Sequence, residues 1–346
     1  MRLLLVSDAW MPQVNGVVTC MRQLQRELER QGHQVLVIHP GLFRTLPCPG
    51  YGEIRLAWNV WRVPRMIRQF APDAVHLATE GPLGWAARAY LRRRGYRFSS
   101  AVHTRFPEYI HQRWPWIPLH WGYAYLRAFH HGSSAVQVST QRMLEVLQGY
   151  GLVNLKLWRK GVDLSHFTAP PVPQSSADTP RFVYVGRLAA EKNLEAFLSL
   201  ALPGSKRVVG DGPERARLEA AFTEVEFVGY RHGAELAKEY QAASVLVFPS
   251  RTDTFGLVML EALACGTPVA AFPVPGPLDV LNPACGVMDE DLQQACLRAL
   301  TLDRQACVQA AQAFSWQRSA QECVAAWPTL KADWVALPPQ ALTPAA

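Results

Sequence analysis

The chain has 346 residues, 49% of them hydrophobic and 18% charged, with a formal net charge of +7. That length accommodates two domains with sizeable cores, and the composition excludes a disordered chain. The opening MRLLLVSDAW turns polar at Ser7 and Asp8, which does not suit a secretory leader, and no run of about 18 apolar residues offers a membrane span. Seven cysteines, at 20, 48, 265, 285, 296, 307 and 323, show no CxxC or metal-like spacing, so reduced thiols in a cytosolic protein are expected.

The elements are predicted in chain order as follows. Arg2–Val6 has a buried-strand pattern, Val17–Gln31 an amphipathic-helix pattern, and Gln34–His39 a second strand after a Gly32-His33 turn. This βαβ unit continues with strands at Ala74–Leu77, Phe98–His103 and Ala135–Ser139 and helices at Gly84–Arg94 and Gln141–Tyr150. The run Thr168–Pro180 (TAPPVPQSSADTP) breaks the rhythm and reads as a linker. The rhythm then restarts, with strands at Phe182–Val185, Lys206–Val209, Val225–Phe227, Val245–Pro249 and, closing the series, Val269–Phe272. Helices intervene at Leu194–Ser199, Pro213–Ala221, Ala234–Ala242 and Leu257–Ala264. The expected fold is therefore α/β, with two facing Rossmann-like domains and the ligand in the cleft between them, at the carboxyl ends of the strands. The tail after Trp334 has no core pattern and is expected to be unstructured.

Five places could carry chemistry. Gly186 and Arg187 end a strand, and Glu191, Lys192 and Asn193 lead into a helix. Arg187 offers a planar fork, Lys192 a point charge and the helix start its amides, a set suited to a diphosphate, although a solvated basic loop has the same pattern. In DTFGLVMLE, Asp253 and Glu261 frame a loop-to-helix junction at Gly256. Glu261 lies in the apolar run LVMLEALA, where a carboxylate needs a bonded partner. Gly210-Asp211-Gly212-Pro213 is a tight turn whose ligand contacts would be secondary. Gly16 lies in the loop after the first strand, which lacks the GxGxxG fingerprint of a dinucleotide cofactor. His103 ends a strand, where a lone histidine is as readily structural as catalytic.

Together these residues resemble the family 4 retaining glycosyltransferases of GT-B architecture, from Met1 to about Trp327. VGRLAAEKN and SRTDTFGLVMLEALACGTPV carry the resemblance, with GDGP and FVGY between them, LWRKGVDLSHF before the linker and FSW at 314–316. The resemblance implies an N-terminal acceptor domain over 1–167, a linker over 168–180 and a nucleotide-sugar domain over 181–313. A helix over 314–333 would cross back to the first domain, ahead of a tail over 334–346. It implies that Arg187 and Lys192 bind the donor diphosphate and stabilise it as leaving group. Glu261 would bind the ribose, and Asp253, where the family usually has glutamate, the sugar hydroxyls. Amides from Phe255 through Gly256 to Leu257 would meet the sugar or phosphate, Gly186 and Gly16 would let backbone approach the phosphates, and backbone near Val228 and Tyr230 would meet the base. His103 would lie near the transferring sugar. Neither a cofactor nor a metal is expected.

The basic charge is concentrated in the N-terminal half. Ala86–His131 holds eight arginines and one acid, Glu108, and Arg55–Arg68 four arginines and none. Within 109–123 these mix with Tyr109, Trp114, Trp116, Trp121 and Tyr123, a combination that suits an anionic membrane surface and equally describes core aromatics. HTRFPEYI resembles the subgroup acting on lipids such as diacylglycerol or phosphatidylinositol, and related mannosyltransferases. The expected partners are a nucleotide-sugar donor and a lipid acceptor, at the inner face of the plasma membrane, with no nucleic acid since no such motif occurs. A soluble glycan acceptor, a nucleotide-sugar 2-epimerase and a non-catalytic sugar-nucleotide binder are the alternatives.

Overall fold

The computed structural model describes residues 1–13, 15–48, 51–170 and 179–330. It divides into two units: Met1–Arg159 together with the segment from Ser319 onward, and Lys160–Arg318. Most of the predicted linker and the whole tail lie outside the described residues.

The first unit contains β1 (Arg2–Val6), β2 (Gln34–Ile38), β3 (Thr45–Cys48), β4 (Tyr51–Ala57), β5 (Ala74–Leu77), β6 (Ser99–Val102), β7 (Ala135–Val138) and β8 (Leu155–Leu157). Six of these form a parallel sheet in the order β2-β1-β5-β6-β7-β8. β3 and β4 stand apart as an antiparallel hairpin with Leu46 opposite Leu56. Helices Gly16–Arg30, Pro82–Arg93 and Gln141–Gly149 supply crossovers, the first capped by the Asn15 side chain on the Val18 amide at 3.0 Å.

The second unit contains β9 (Arg181–Val185), β10 (Ser205–Val209), β11 (Glu226–Phe227), β12 (Val245–Phe248), β13 (Val269–Ala271) and β14 (Gly286–Met288). They form a parallel sheet in the order β11-β10-β9-β12-β13-β14. Val183, Val185, Leu246, Phe248, Val269 and Ala271 enter one core, while Phe182, Tyr184, Val245, Val247 and Ala270 enter another. Alternate residues thus bury on opposite faces, as a sheet covered by helices on both sides requires.

The series does not close at Val269–Phe272, because β14 adds a further strand at that edge. The chain enters the second unit at Lys160, ahead of the proline run, since Val162 and Phe167 bury in that unit's core and the Val162 amide bonds the Phe314 carbonyl at 2.9 Å. It returns at Ser319, within the helix Trp316–Ala325.

In each sheet the strand order reverses once. Chain progression runs outward from β1 to β2 and then resumes on β1's other side at β5; likewise β9, β10 and β11 run one way and β12, β13 and β14 the other. The loops leaving β1 and β5, and those leaving β9 and β12, therefore diverge and open a crevice at the strands' carboxyl ends.

A buried polar side chain helps to fix the returning segment. Gln137, in β7, donates from Nε2 to the Cys323 carbonyl and accepts from Trp327 Nε1 at Oε1, both at 3.1 Å. Gln137→Leu would leave the Trp327 indole N–H buried and unmatched, while the Cys323 carbonyl keeps the Ala326 amide at 3.3 Å, at a cost of roughly 1–3 kcal/mol. The expected readout is a lower denaturant midpoint for the first unit; an unchanged midpoint would contradict this anchoring.

Candidate active site

The loop after β9 begins at Gly186, whose φ of +153° disfavours a side chain; a Cβ there would also stand 2.8 Å from the Tyr184 hydroxyl. That hydroxyl donates to the Arg187 carbonyl at 2.9 Å and so holds the loop. Burial pushes the Tyr184 phenol above its ordinary pKa, keeping it a donor. Ala190–Lys192 then forms a 3₁₀ turn, closed by Asn193 in the left-handed region, whose side-chain Nδ2 donates to the Pro249 carbonyl at 3.1 Å. Thr252 donates to the Glu191 carbonyl at 3.2 Å. These two bonds tie the loop after β9 to the loop after β12.

The charged groups meet on that tie. Lys192 Nζ is ion-paired with Asp253 Oδ1, and an Arg187 guanidinium nitrogen lies 3.8 Å from Glu191 Oε1. All four side chains retain some solvent contact. Two cations with matched carboxylates make a site that an anionic ligand can enter by exchanging partners.

Past Asp253 the chain reaches Gly256, at φ +80°, where a Cβ would stand 2.8 Å from Met259 Cε and 2.9 Å from the Phe248 ring. This glycine starts the helix Leu257–Ala264, which has no side-chain cap, so its first amides have no acceptor within the helix. Phe255 is buried below, edge-on to Phe314.

Glu261 faces the core from this helix. The partner its apolar flanks call for is Tyr240, whose hydroxyl donates to Oε2 at 2.8 Å. Burial raises the Glu261 pKa from 4.5 to about 7, and the Tyr240 bond opposes that rise. Val228 and Tyr230 follow β11: the Val228 amide continues the ladder to the Val208 carbonyl, and Tyr230 is exposed, its hydroxyl on the Asp211 carbonyl at 3.1 Å. The Asp211 carbonyl also accepts from the Leu188 amide at 2.9 Å, which joins the GDGP turn to the same loop cluster.

In the first unit, Gly16 begins the helix after β1, is exposed, and has clear space where a Cβ would stand. His103 lies just past β6, half-buried, its ring edge-on to Trp158 with centroids 5.7 Å apart. Elsewhere Ser100 Oγ meets His130 Nδ1 at 2.8 Å, and His130 Nε2 meets Glu80 Oε1 at 3.2 Å. This has the connectivity of a hydrolytic triad, yet all three residues are buried and Ser100 is in mid-strand. It satisfies buried polar groups and offers no accessible nucleophile.

The structure thus brings Arg187, Lys192, Asp253, Gly186 and Gly256 together on the loops after β9 and β12, with Glu261 behind them on the following helix. Sequence reasoning missed Tyr184, Tyr240 and Glu191 as supporting residues. Glu191 was visible inside its motif, whereas the tyrosines look like ordinary strand and helix positions. Tyr123, grouped with interfacial aromatics from the sequence, is core: its hydroxyl donates to Glu108 at 2.6 Å and its ring stacks on Tyr150.

Comparison with known proteins decides the family. Residues 14–166 match the profile of Glycosyltransferase Family 4, and residues 179–301 that of Glycosyl transferases group 1. A GDP-mannose-dependent alpha-mannosyltransferase of Mycobacterium tuberculosis is 31% identical over 309 residues, covering 82% of each chain. The chain belongs to glycosyltransferase family 4. An alpha-monoglucosyldiacylglycerol synthase of Streptococcus pneumoniae is 27% identical, over 78% of this glycosyltransferase and 71% of that one. The solved sucrose-phosphate synthase of Thermosynechococcus elongatus superposes with a TM-score of 0.76 at 21% identity, over 94% of this chain and 97% of that one, which establishes the GT-B fold.

Glu261 makes a pH prediction. Its folded pKa lies above the unfolded value, so its stabilising contribution is complete below about pH 4.5 and is lost as pH rises through about 7. Glu261→Gln is therefore expected to match the wild type in acid and to exceed it by up to about 3 kcal/mol near pH 8. Denaturant titrations at both pH values check this; a gap that shrinks as pH rises would contradict it.

Proposed function

We propose that this glycosyltransferase moves a hexose, with retention, from a UDP- or GDP-linked donor to the hydroxyl of a membrane lipid such as diacylglycerol or a phosphatidylinositol-type lipid. The donor half of this reading follows from the charges after β9 and β12. The diphosphate takes Arg187 and Lys192 from Glu191 and Asp253, and their fixed positive charge stabilises the departing anion without reorganisation at the moment of reaction. Asp253, released from Lys192, accepts from sugar hydroxyls. Glu261 takes the ribose hydroxyls on Oε1, since Tyr240 occupies Oε2. Amides of the Gly256-Leu257 turn meet the sugar or phosphate, backbone at Val228 and Tyr230 meets the base, and Gly16 leaves room for the N-terminal loop to approach the phosphates. His103 serves the transferring sugar. A leaving-phosphate oxygen takes the acceptor's proton as the acceptor oxygen bonds to the anomeric carbon on the same face.

The observation that carries the lipid acceptor is the exposure of aromatic and basic side chains on the first unit. Trp116, Trp121 and Trp61 are 75%, 63% and 66% exposed. Trp58 and Trp61 meet edge-to-face at 5.3 Å, and Leu46, Arg44 and Arg65 are exposed on the same hairpin and the turn and helix after it. The Trp58 amide bonds the Arg44 carbonyl, and Leu46 pairs with Leu56, so by strand alternation Arg44, Leu46, Leu56 and Trp58 share one face. Exposed indoles among arginines suit the headgroup region of an anionic leaflet, where apolar rings bury shallowly and cations meet phosphate. Among the described residues no helix is long and apolar enough to cross a membrane, so the proposed association is peripheral. The seven cysteines are free, which supports the cytoplasmic side. The similarity to a glucosyldiacylglycerol synthase supports the same acceptor class.

Two measurements test these halves separately. Lys192→Ala is expected to lower turnover about 10²-fold or more while the protein stays folded; unchanged turnover would remove Lys192 from its role. In flotation with phosphatidylglycerol vesicles the wild type is expected to rise with the lipid, and Trp116→Ser with Trp121→Ser to weaken that binding. No binding of the wild type would contradict the membrane reading.

A further inference from the structure

We infer that Trp158 is a positioning residue for His103, and that the C-terminal segment sets the imidazole's orientation through it. This inference rests on the reading of His103 as a residue of the transferring-sugar site. Trp158 follows β8, and its amide extends the sheet by bonding the Val138 carbonyl at 2.8 Å. Its side chain is fully buried. The indole Nε1 donates to both the carbonyl and the hydroxyl of Ser319 at 3.0 Å, and that hydroxyl in turn donates to the Arg159 carbonyl at 2.7 Å. The hydroxyl thus accepts from the ring and donates back to the residue next to it, which closes a loop that fixes the ring's plane.

The far side of Trp158 is closed as well. His76 lies edge-on to it, with centroids 6.2 Å apart, and stacks flat on Trp327 at 4.9 Å and 6°. His76 Nδ1 meets Ser99 Oγ at 2.9 Å, and Trp327 is held by Gln137. The indole's hydrogen bonds thus go to Ser319, which belongs to the segment that returns from the second unit, while His76 holds the ring from β5. His103 rests against that ring at 74° between planes, while its own backbone lies past the end of β6, in loop. The Trp158 ring is therefore one of the surfaces that orient it. A group that must meet reacting atoms within a few tenths of an ångström is sensitive to such a support: a displacement of about 1 Å costs on the order of 10²-fold in rate.

Trp158→Phe removes the indole donor and retains an aromatic ring. The expected result is a fall in kcat of roughly 10- to 100-fold with the donor KM unchanged, since Arg187 and Lys192 are untouched. The His103 imidazole resonances should shift in heteronuclear NMR spectra. Trp327→Phe is the control, because it removes the matching indole donor from the same core without touching His103. It is expected to lower thermal stability, to keep kcat within about twofold and to leave the His103 resonances in place. Should Trp158→Phe not fold, Ser319→Ala loosens the same indole more gently and is expected to give a smaller loss of the same kind. Equal loss of kcat in the Trp158 and Trp327 variants, or unmoved His103 resonances in the Trp158 or Ser319 variant, would overturn the inference. His103→Ala separates it from the reading beneath: if that variant kept wild-type kcat, the role of His103 would fall, and the resonance shift alone would decide whether Trp158 positions it.

Discussion

The second unit depends on β9 and β12 lying side by side, although 59 residues of chain lie between Val185 and Val245. Pairing Val183 with Leu246 brings two loops to one edge, one with two cations and the other with two carboxylates spaced along a loop and a helix. The sheet reverses its strand order at this point, so both loops are free to turn outward. The Lys192–Asp253 ion pair is the visible result. Like other partly exposed pairs it adds little to stability, and under the proposed function it holds each charge ready for exchange with the donor.

Glu261 illustrates how a fold supports an uncomfortable charge. A carboxylate on an apolar helix pays desolvation, seen here as a pKa raised to about 7, and Tyr240 recovers only part of that. Under the proposed function the ribose hydroxyls complete the carboxylate's hydrogen bonding. The first unit makes a different compromise: it leaves large indoles in solvent beside arginines, an arrangement with a purpose when the adjoining phase is a lipid headgroup layer. Family membership fixes the reaction class, and these two local costs indicate where donor and acceptor are expected to be held.

Much of this was legible in the sequence because buried parallel strands write themselves as short apolar runs. Ten such runs were read and ten appear as strands, with ends differing by a residue or so. β8 and β14 escaped the reading, and the β3–β4 hairpin did so because Pro47 and a register shift beside Cys48 interrupt its alternation. The charged motif residues were also legible, since loop-to-helix junctions and a carboxylate among leucines each need an explanation. Their partners were not. Lys192 and Asp253 are 61 positions apart, and Tyr240 is 21 from Glu261, distances over which residue spacing carries no information. Burial separated aromatics that composition treats alike: Tyr123 belongs to the core, Trp116 and Trp121 to the surface.

The central claim is transfer of a hexose to a lipid with its anomeric configuration kept. The most direct measurement is to incubate the protein with α-linked UDP-glucose or GDP-mannose and vesicles containing diacylglycerol or phosphatidylinositol, and to read the anomeric couplings of the lipid product by NMR. The account predicts an α-linked glycolipid formed from one of these donors. A β-linked product, or a donor epimerised or consumed with no sugar reaching lipid, would contradict it.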